Sequence, residues 1–303
     1  MSGHEGSSTR AILYAFFANL GIALAKTGAA AYTKSGSMLA EAIHSYADCG
    51  NQVLLYFGLK QSERPANVEH PMGYGKISYF WSFIVAILLF SLGGLFSIYE
   101  GVHKLQNPHE LSKPWVGLVV LAFSIVLEIG SLAGALREIN KLRGRRSMRE
   151  WVDTTRNAEL VVVLGEDLAA ICGLVLAFVF LGLATVTGNT TYDAVGSICI
   201  GVVLIIVSVF VATRIKSLIV GRSAEPEMRA AIAEVLASDD NVVRVFNTLT
   251  LQFGPKVMLA AKVQMRPGTS IEQAVDDINA LERRLKERVP QIGWCFVEPD
   301  DED

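Results

Sequence analysis

Six apolar runs, each long enough to cross a lipid bilayer as a helix, constrain what the first 220 residues of this chain can become. They fall at roughly 11–33, 37–60, 77–101, 115–136, 158–185 and 192–219. About 20 predominantly apolar residues cover the hydrocarbon core of a membrane, and every run meets that length. The separators read as loops. "RPANVEHPMGYGK" contains Pro65 and Pro71, which stop a helix; "HKLQNPHELSKP" and "TGNTT" divide later pairs of runs. The hydrophobic fraction of 51% is more than a soluble chain of 303 residues would carry, and it is unevenly spread, because 222–303 is rich in charge. The expectation is a polar tail over 1–10, a six-helix transmembrane domain over 11–220 and a soluble domain over 221–303.

Basic residues suggest the orientation. The link between the fourth and fifth runs carries Arg137, Lys141, Arg143, Arg145, Arg146, Arg149 and Arg156; Lys60, Arg64 and Lys76 flank the second loop, and Arg214, Lys216 and Arg222 follow the sixth run. The opposite loops hold only Lys34, Lys104 and Lys113. The positive-inside rule then puts both termini in the cytoplasm. The short polar start lacks a basic region followed by a cleavage site, so no removable signal is expected. Short loops favour a bacterial inner membrane. Four cysteines without a CxxC pair read as buried thiols in a reducing compartment. No basic surface or interleaved aromatic pattern argues for nucleic acid.

Beyond Gly221 the hydrophobic period changes. "PEMRAAIAEVLAS" and "SIEQAVDDINALERRLKERV" have helical spacing, while "VRVFNTLTLQF", "KVMLAAKVQM" and "GWCFVEP" read as strands, the first two alternating. The order αββαβ predicts a ferredoxin-like α+β layer. The fold class is therefore a membrane all-α six-helix domain followed by an α+β cytoplasmic domain.

Within the apolar runs, several ionisable groups stand out. "EAIHSYADCGN" places Glu41, His44 and Asp48 at i, i+3 and i+7, on one helical face. "VVVLGEDLAAICG" carries Glu166 and Asp167, which diverge by about 100° around their helix, so one should face helix two and the other a cavity or another helix. A carboxylate at the bilayer centre costs about 2.5–3.5 kcal/mol on insertion scales. Helix-to-helix hydrogen bonds in membranes return less than about 2 kcal/mol, so polar glue is a poor explanation for several carboxylates that would also repel one another. A divalent cation answers both problems. Imidazole with carboxylates suits Zn²⁺ and also Co²⁺, Fe²⁺ or Mn²⁺. Protons compete for the same lone pairs, which would couple metal movement to a proton gradient. The competing reading is a metal-responsive membrane scaffold or receptor that binds the ion without moving it. No HExxH or GxSxG motif supports an enzyme.

These residues resemble the cation diffusion facilitator transporters over nearly the whole chain. The likeness lies in "SGSMLAEAIHSYADCGNQ", "HPMGYGK", "GEDLAAICG" and "YDAVGSICIG", with "EDLAA" closest to the branch that includes a mitochondrial zinc transporter of animals. The resemblance implies a homodimer in the bilayer that exchanges a divalent metal for protons by alternating access. Zinc is the usual cargo; cobalt, iron, manganese or cadmium are alternatives. It also implies a metal site formed by His44 and Asp48 from helix two and Asp167 from helix five. The family's fourth ligand falls at Val163 here, so Glu166, Glu41 or water would complete the shell. The family's accessory loop site maps to Asn67, His70 and Tyr74, where two ligands are missing, and no second metal is expected there. Every histidine lies at or before His109, so a metal cluster in the tail is not expected. Its carboxylates, such as Asp239, Asp240, Glu298 and Asp300, read as a solvated face. Lys76 matches a basic family position and is expected either in an ion pair or at the membrane boundary.

Overall fold

The computed structural model describes residues 3–33, 36–108, 113–268 and 270–302, with side chains for all of these except 3–5, 33, 36–38, 40 and 41. Two compact units emerge. The first comprises Met1–Lys60, Ser78–Arg146 and Asn157–Lys216; the second comprises Gln61–Ile77, Ser147–Arg156 and Ser217–Asp303.

The first unit is helical: α1 (Gly3–Thr33), α2 (Gly36–Ser62), α3 (Ile77–Leu88) continuing through a π-helical segment (Leu89–Leu95) into α4 (Phe96–Gln106), then α5 (Pro114–Arg143), α7 (Ala158–Thr187) and α8 (Thr191–Val220). Among the described residues, five helical segments are long and apolar enough to cross a membrane: Gly6–Tyr32, Ile77–Gln106, Pro114–Arg143, Ala158–Thr187 and Thr191–Val220. The remaining run, 37–60, is α2, of 27 residues. Its hydropathy is lowered by the same Glu41, His44, Asp48 and Asn51 that mark it chemically. The residues expected as a polar tail over 1–10 are, from Gly3 onward, the first turns of α1. Large apolar side chains such as Phe17, Leu24, Val126 and Ile206 are more than half exposed. Such a surface suits acyl chains and would be a liability in water.

Packing inside this unit pairs α1 with α5 and α5 with α7. The third span and α8 meet through glycines. A Cβ on Gly101 would come within 2.7 Å of the Ala194 carbonyl oxygen, and one on Gly201 within 2.6 Å of the Gly94 carbonyl oxygen. Small residues are what allow two backbones to approach this closely inside a membrane. In and beside the π segment, Ser91 Oγ donates to the Ile87 carbonyl at 2.8 Å and Ser97 Oγ to that of Gly93 at 2.7 Å, satisfying carbonyls where the helical ladder changes register.

The second unit has the expected αββαβ order: α9 (Pro226–Ala237), β1 (Val242–Phe253), β2 (Lys256–Met265), α10 (Ile271–Arg288) and β3 (Ile292–Pro299). The sheet order is β1-β2-β3, antiparallel between β1 and β2 and parallel between β2 and β3, which makes β2–α10–β3 a crossover. Alternate residues Val257, Leu259, Ala261 and Val263 of β2 are buried, and the last three share a core with Ile232 and Leu236 of α9 and Leu281 and Leu285 of α10. Ser270 starts α10 by accepting from the Gln273 backbone N–H at 3.2 Å, a side-chain N-cap.

Two segments outside 221–303 belong to this unit, a difference from the expected boundary. The arginine-rich link contains a short helix, α6 (Met148–Thr154), followed by Arg156, whose buried guanidinium donates to the carbonyls of Ser223 (2.7 Å) and Ala224 (3.2 Å). In the second loop, Gly75 abuts the β1–β2 turn so closely that a Cβ there would lie 2.5 Å from the Phe253 carbonyl oxygen. Lys76 Nζ stands 4.7 Å from the Phe253 ring centroid. The basic residue expected in an ion pair or at the membrane edge is thus a cation–π partner.

Candidate cation site

Polar groups of α1, α2, α4, α5, α7 and α8 surround one cavity of about 170 Å³ within the helical unit. Among its lining residues are His44 and Asp48 of α2, Glu166 and Asp167 of α7, Glu128 of α5 and Lys26 of α1. The i, i+4 spacing of His44 and Asp48 places them a turn apart, and both are half-buried. They also border a second opening beside Leu88–Leu92 of the third span.

The angular divergence of Glu166 and Asp167 sends them to different helices. Glu166 accepts from Asn51 Nδ2 at 3.2 Å and from Gln52 Nε2 at 2.6 Å, both on α2. Asp167 accepts from Ser131 Oγ of α5, 3.2 Å from each carboxylate oxygen. Both carboxylates are buried, and their partners are neutral amides and a hydroxyl. Among the described residues, neither Asp48, Glu128, Glu166 nor Asp167 has a cation within ion-pair distance. Nor, among the described residues, do any three His, Cys, Asp or Glu side chains stand close enough to hold one ion together. The expected residues therefore share a cavity but are not drawn into a closed shell. Glu41 lies on α2, with its side chain outside the described set. Val163 is fully buried and does not line the cavity.

The cavity is one-sided. On α7 its lining begins at Glu166 and runs only toward the C-terminal end, as far as Ala177. In the other direction, Ala158 through Asp167 are buried without a break. The cavity's far end is polar: Lys104 Nζ of α4 meets Glu100 at 3.3 Å, Asp193 of α8 at 3.0 Å and Ser197 Oγ at 3.2 Å. That end lies where α1, α4 and α7 finish and α2, α5 and α8 begin.

The loop positions where an accessory metal was not expected bond to one another. Asn67 Nδ2 donates to the Tyr74 hydroxyl at 2.9 Å, the Asn67 side-chain oxygen accepts from the His70 backbone N–H at 2.7 Å, and the His70 and Tyr74 rings lie 4.4 Å apart. Among the tail carboxylates, Asp239 is not solvated as expected: it is buried and paired with Arg284. Asp300 pairs with Lys262 at 2.8 Å.

Comparison with known proteins decides the lineage. Residues 12–219 match the family described as a cation efflux transmembrane domain. The chain belongs to the cation efflux family. It is an integral membrane protein, and the members of this family are transporters rather than enzymes. A relative from Xenopus laevis, "Proton-coupled zinc antiporter SLC30A9, mitochondrial", is 36% identical over 235 residues, 77% of this chain and 42% of that protein. "Metal tolerance protein C4" of Arabidopsis thaliana is 31% identical over 254 residues, 83% of this chain and 56% of the relative. "Magnetosome protein MamB" of Paramagnetospirillum magneticum is 24% identical over 293 residues, 95% and 93% of the two chains. The chain thus spans about half the length of the first two relatives.

Sequence reasoning missed Lys26, Glu128 and Lys104 as members of this cavity. The signal was present, since each is a charged residue inside or at the end of an apolar run. Glu128 in particular sits alone amid "VVLAFSIVLEIGSLAGAL". A lone charge has no periodicity to point at a partner, and only the packed bundle reveals what it faces.

Proposed function

We propose that this chain moves a divalent transition-metal cation, zinc foremost, across a membrane in exchange for protons, working as a homodimer with both termini in the cytoplasm of a bacterial cell. The observation that carries the reading is the cavity lined by one imidazole and five carboxylates, four of which (Asp48, Glu128, Glu166 and Asp167) have no cation at ion-pair distance among the described residues. Groups of that kind held in a low-dielectric interior are stabilised by a cation or by protons, and by little else on offer. His44, Asp48 and Asp167 serve as ligands, with Glu166 and Glu41 as further candidates. An arriving cation draws the carboxylates inward; arriving protons neutralise them and release it. Asn51, Gln52 and Ser131 orient the carboxylates in both states, as outer partners do at metal sites. The cavity's one-sided reach and the unbroken burial of Ala158–Asp167 fit the outward-facing arm of an alternating-access cycle. The relatives named for proton-coupled zinc antiport and metal tolerance support the same substrate class.

The test is uptake into proteoliposomes across a panel of divalent ions, with and without a pH gradient. Saturable, gradient-dependent zinc uptake that vanishes in Asp48→Ala and Asp167→Ala is the expected result. Normal uptake by both variants would remove the site assignment. Binding of metal with no flux under any gradient would favour a scaffold or receptor.

A further inference from the structure

The helix α5 buries two glutamates, and they are treated differently. Glu138 is answered by Lys141 at 2.6 Å and Arg10 at 3.8 Å. Glu128 is only 3% exposed, makes no hydrogen bond or ion pair with any described residue, and opens onto the cavity that holds His44, Asp48 and Asp167. It lies about 21 Å along the helix from Pro114 at 1.5 Å per residue, near the midpoint of the span. One turn further, Ser131 donates to Asp167, so the α5 face that carries Glu128 is the face turned toward the α7 carboxylate. One turn earlier, buried Ser124 on that face leaves its hydroxyl without a hydrogen-bond partner among the described residues. Lys26 of α1 also lines the cavity and acts electrostatically on Glu128.

We infer that Glu128 is a cargo ligand, contributed by α5 to the cavity that holds Asp167 of α7, and that it sets the ion preference of the site. This rests on the transport reading above and deepens it. A further carboxylate makes the donor set harder, and harder oxygen sets favour Mn²⁺ more than nitrogen-rich ones do. Glu128 therefore widens the range of ions carried, from zinc toward manganese.

The experiment measures KM and kcat for Zn²⁺, Co²⁺ and Mn²⁺ in proteoliposomes, and calorimetric binding of each ion to the purified full chain. Glu128→Gln, which is isosteric and removes a buried charge, should raise KM and weaken binding by about tenfold or more, the scale of a lost metal-site partner. Mn²⁺ should be hit harder than Zn²⁺. Glu128→His, which exchanges the carboxylate for an imidazole at the same place, should keep zinc affinity and leave manganese poor. If Glu128→Gln keeps wild-type affinities and ion order while Asp48→Ala is inactive, Glu128 is not a ligand and the transport reading stands without it. If Lys26→Met combined with Glu128→Gln restores full transport of all ions, Glu128 is a counter-ion of Lys26 and the inference falls. If Asp48→Ala is also unaffected, the transport site itself is wrong.

Discussion

The sheet unit and the cavity of the helical unit both bury carboxylates, and they handle them in opposite ways. In the sheet unit, Asp239 is sealed from solvent but bonded by the Arg284 guanidinium and by the Asn241 backbone N–H at 2.9 Å. Its charge is closed off within the fold. In the helical unit, Glu166 and Asp167 are as buried, yet receive only amide and hydroxyl donors, and Glu128 receives none from the described residues. A buried charge that completes its own circuit is architecture. A set of buried charges that does not is a request for something from outside, because desolvation in a bilayer leaves only a cation or a proton to stabilise it.

The sharpest way to break that contrast is to remove a carboxylate from each unit. Asp48→Ala and Asp167→Ala should cut transport by more than about 100-fold, beyond the range seen when only a supporting partner is lost. Their thermal stability in detergent should hold or rise, since a desolvated charge has gone. A drop in stability with transport intact would reverse the roles assigned to the two units. In the sheet unit the expected pattern is the reverse. Arg284→Met strands Asp239 without its partner and should destabilise that unit by about 1–3 kcal/mol, less than a fully buried pair because the guanidinium is half exposed. Denaturant titration of the full chain, followed through Trp294 of β3, would read it. Transport per folded molecule should be unchanged.

A smaller effect should come from Ser131→Ala, which frees Asp167 without removing it. We expect KM for zinc to rise by roughly tenfold at little change in kcat, with Ser131→Thr restoring it. A shift in kcat alone would mean that Ser131 acts on conformational change rather than on ligand geometry. The smallest effect is expected from pH acting on Cys295, in the core of the sheet unit. Burial pushes its thiol up to about 11 from an ordinary 9.0. The folded state then holds the proton that the unfolded state gives up, so this contribution to stability is complete below about pH 9 and is lost as pH rises toward 11. Cys295→Ala should flatten that limb of the stability profile, and an unchanged limb would assign it to another group.

Much of this was legible in the residues. The apolar runs announced the spans because period and length are properties of a segment alone. The alternation in "KVMLAAKVQM" announced a half-buried strand for the same reason. The i, i+4 pair His44 and Asp48 was legible as one face of one helix. The start of α1 was not: a polar "MSGHEGSSTR" reads as a tail, yet its helix begins at Gly3, where Ser8 Oγ donates to the Asn157 side-chain oxygen at 3.0 Å. The sharing of Gln61–Ile77 and Ser147–Arg156 with the sheet unit was likewise hidden, because it depends on Gly75 and Arg156 reaching segments far away in the chain.

What the amino-acid order determined by itself was the set of elements and the chemistry each carries: apolar spans studded with carboxylates, then an αββαβ layer. Which carboxylate faces which neighbour was decided only in three dimensions. A helical wheel gives the angle between Glu166 and Asp167 about their own axis, but six helices can be packed around that axis in many orders. Tertiary structure turned Glu166 to Asn51 and Gln52, turned Asp167 to Ser131, and brought Glu128 into their company. The physical reason is that direction along a helix is local, whereas the identity of the partner is a property of the whole bundle.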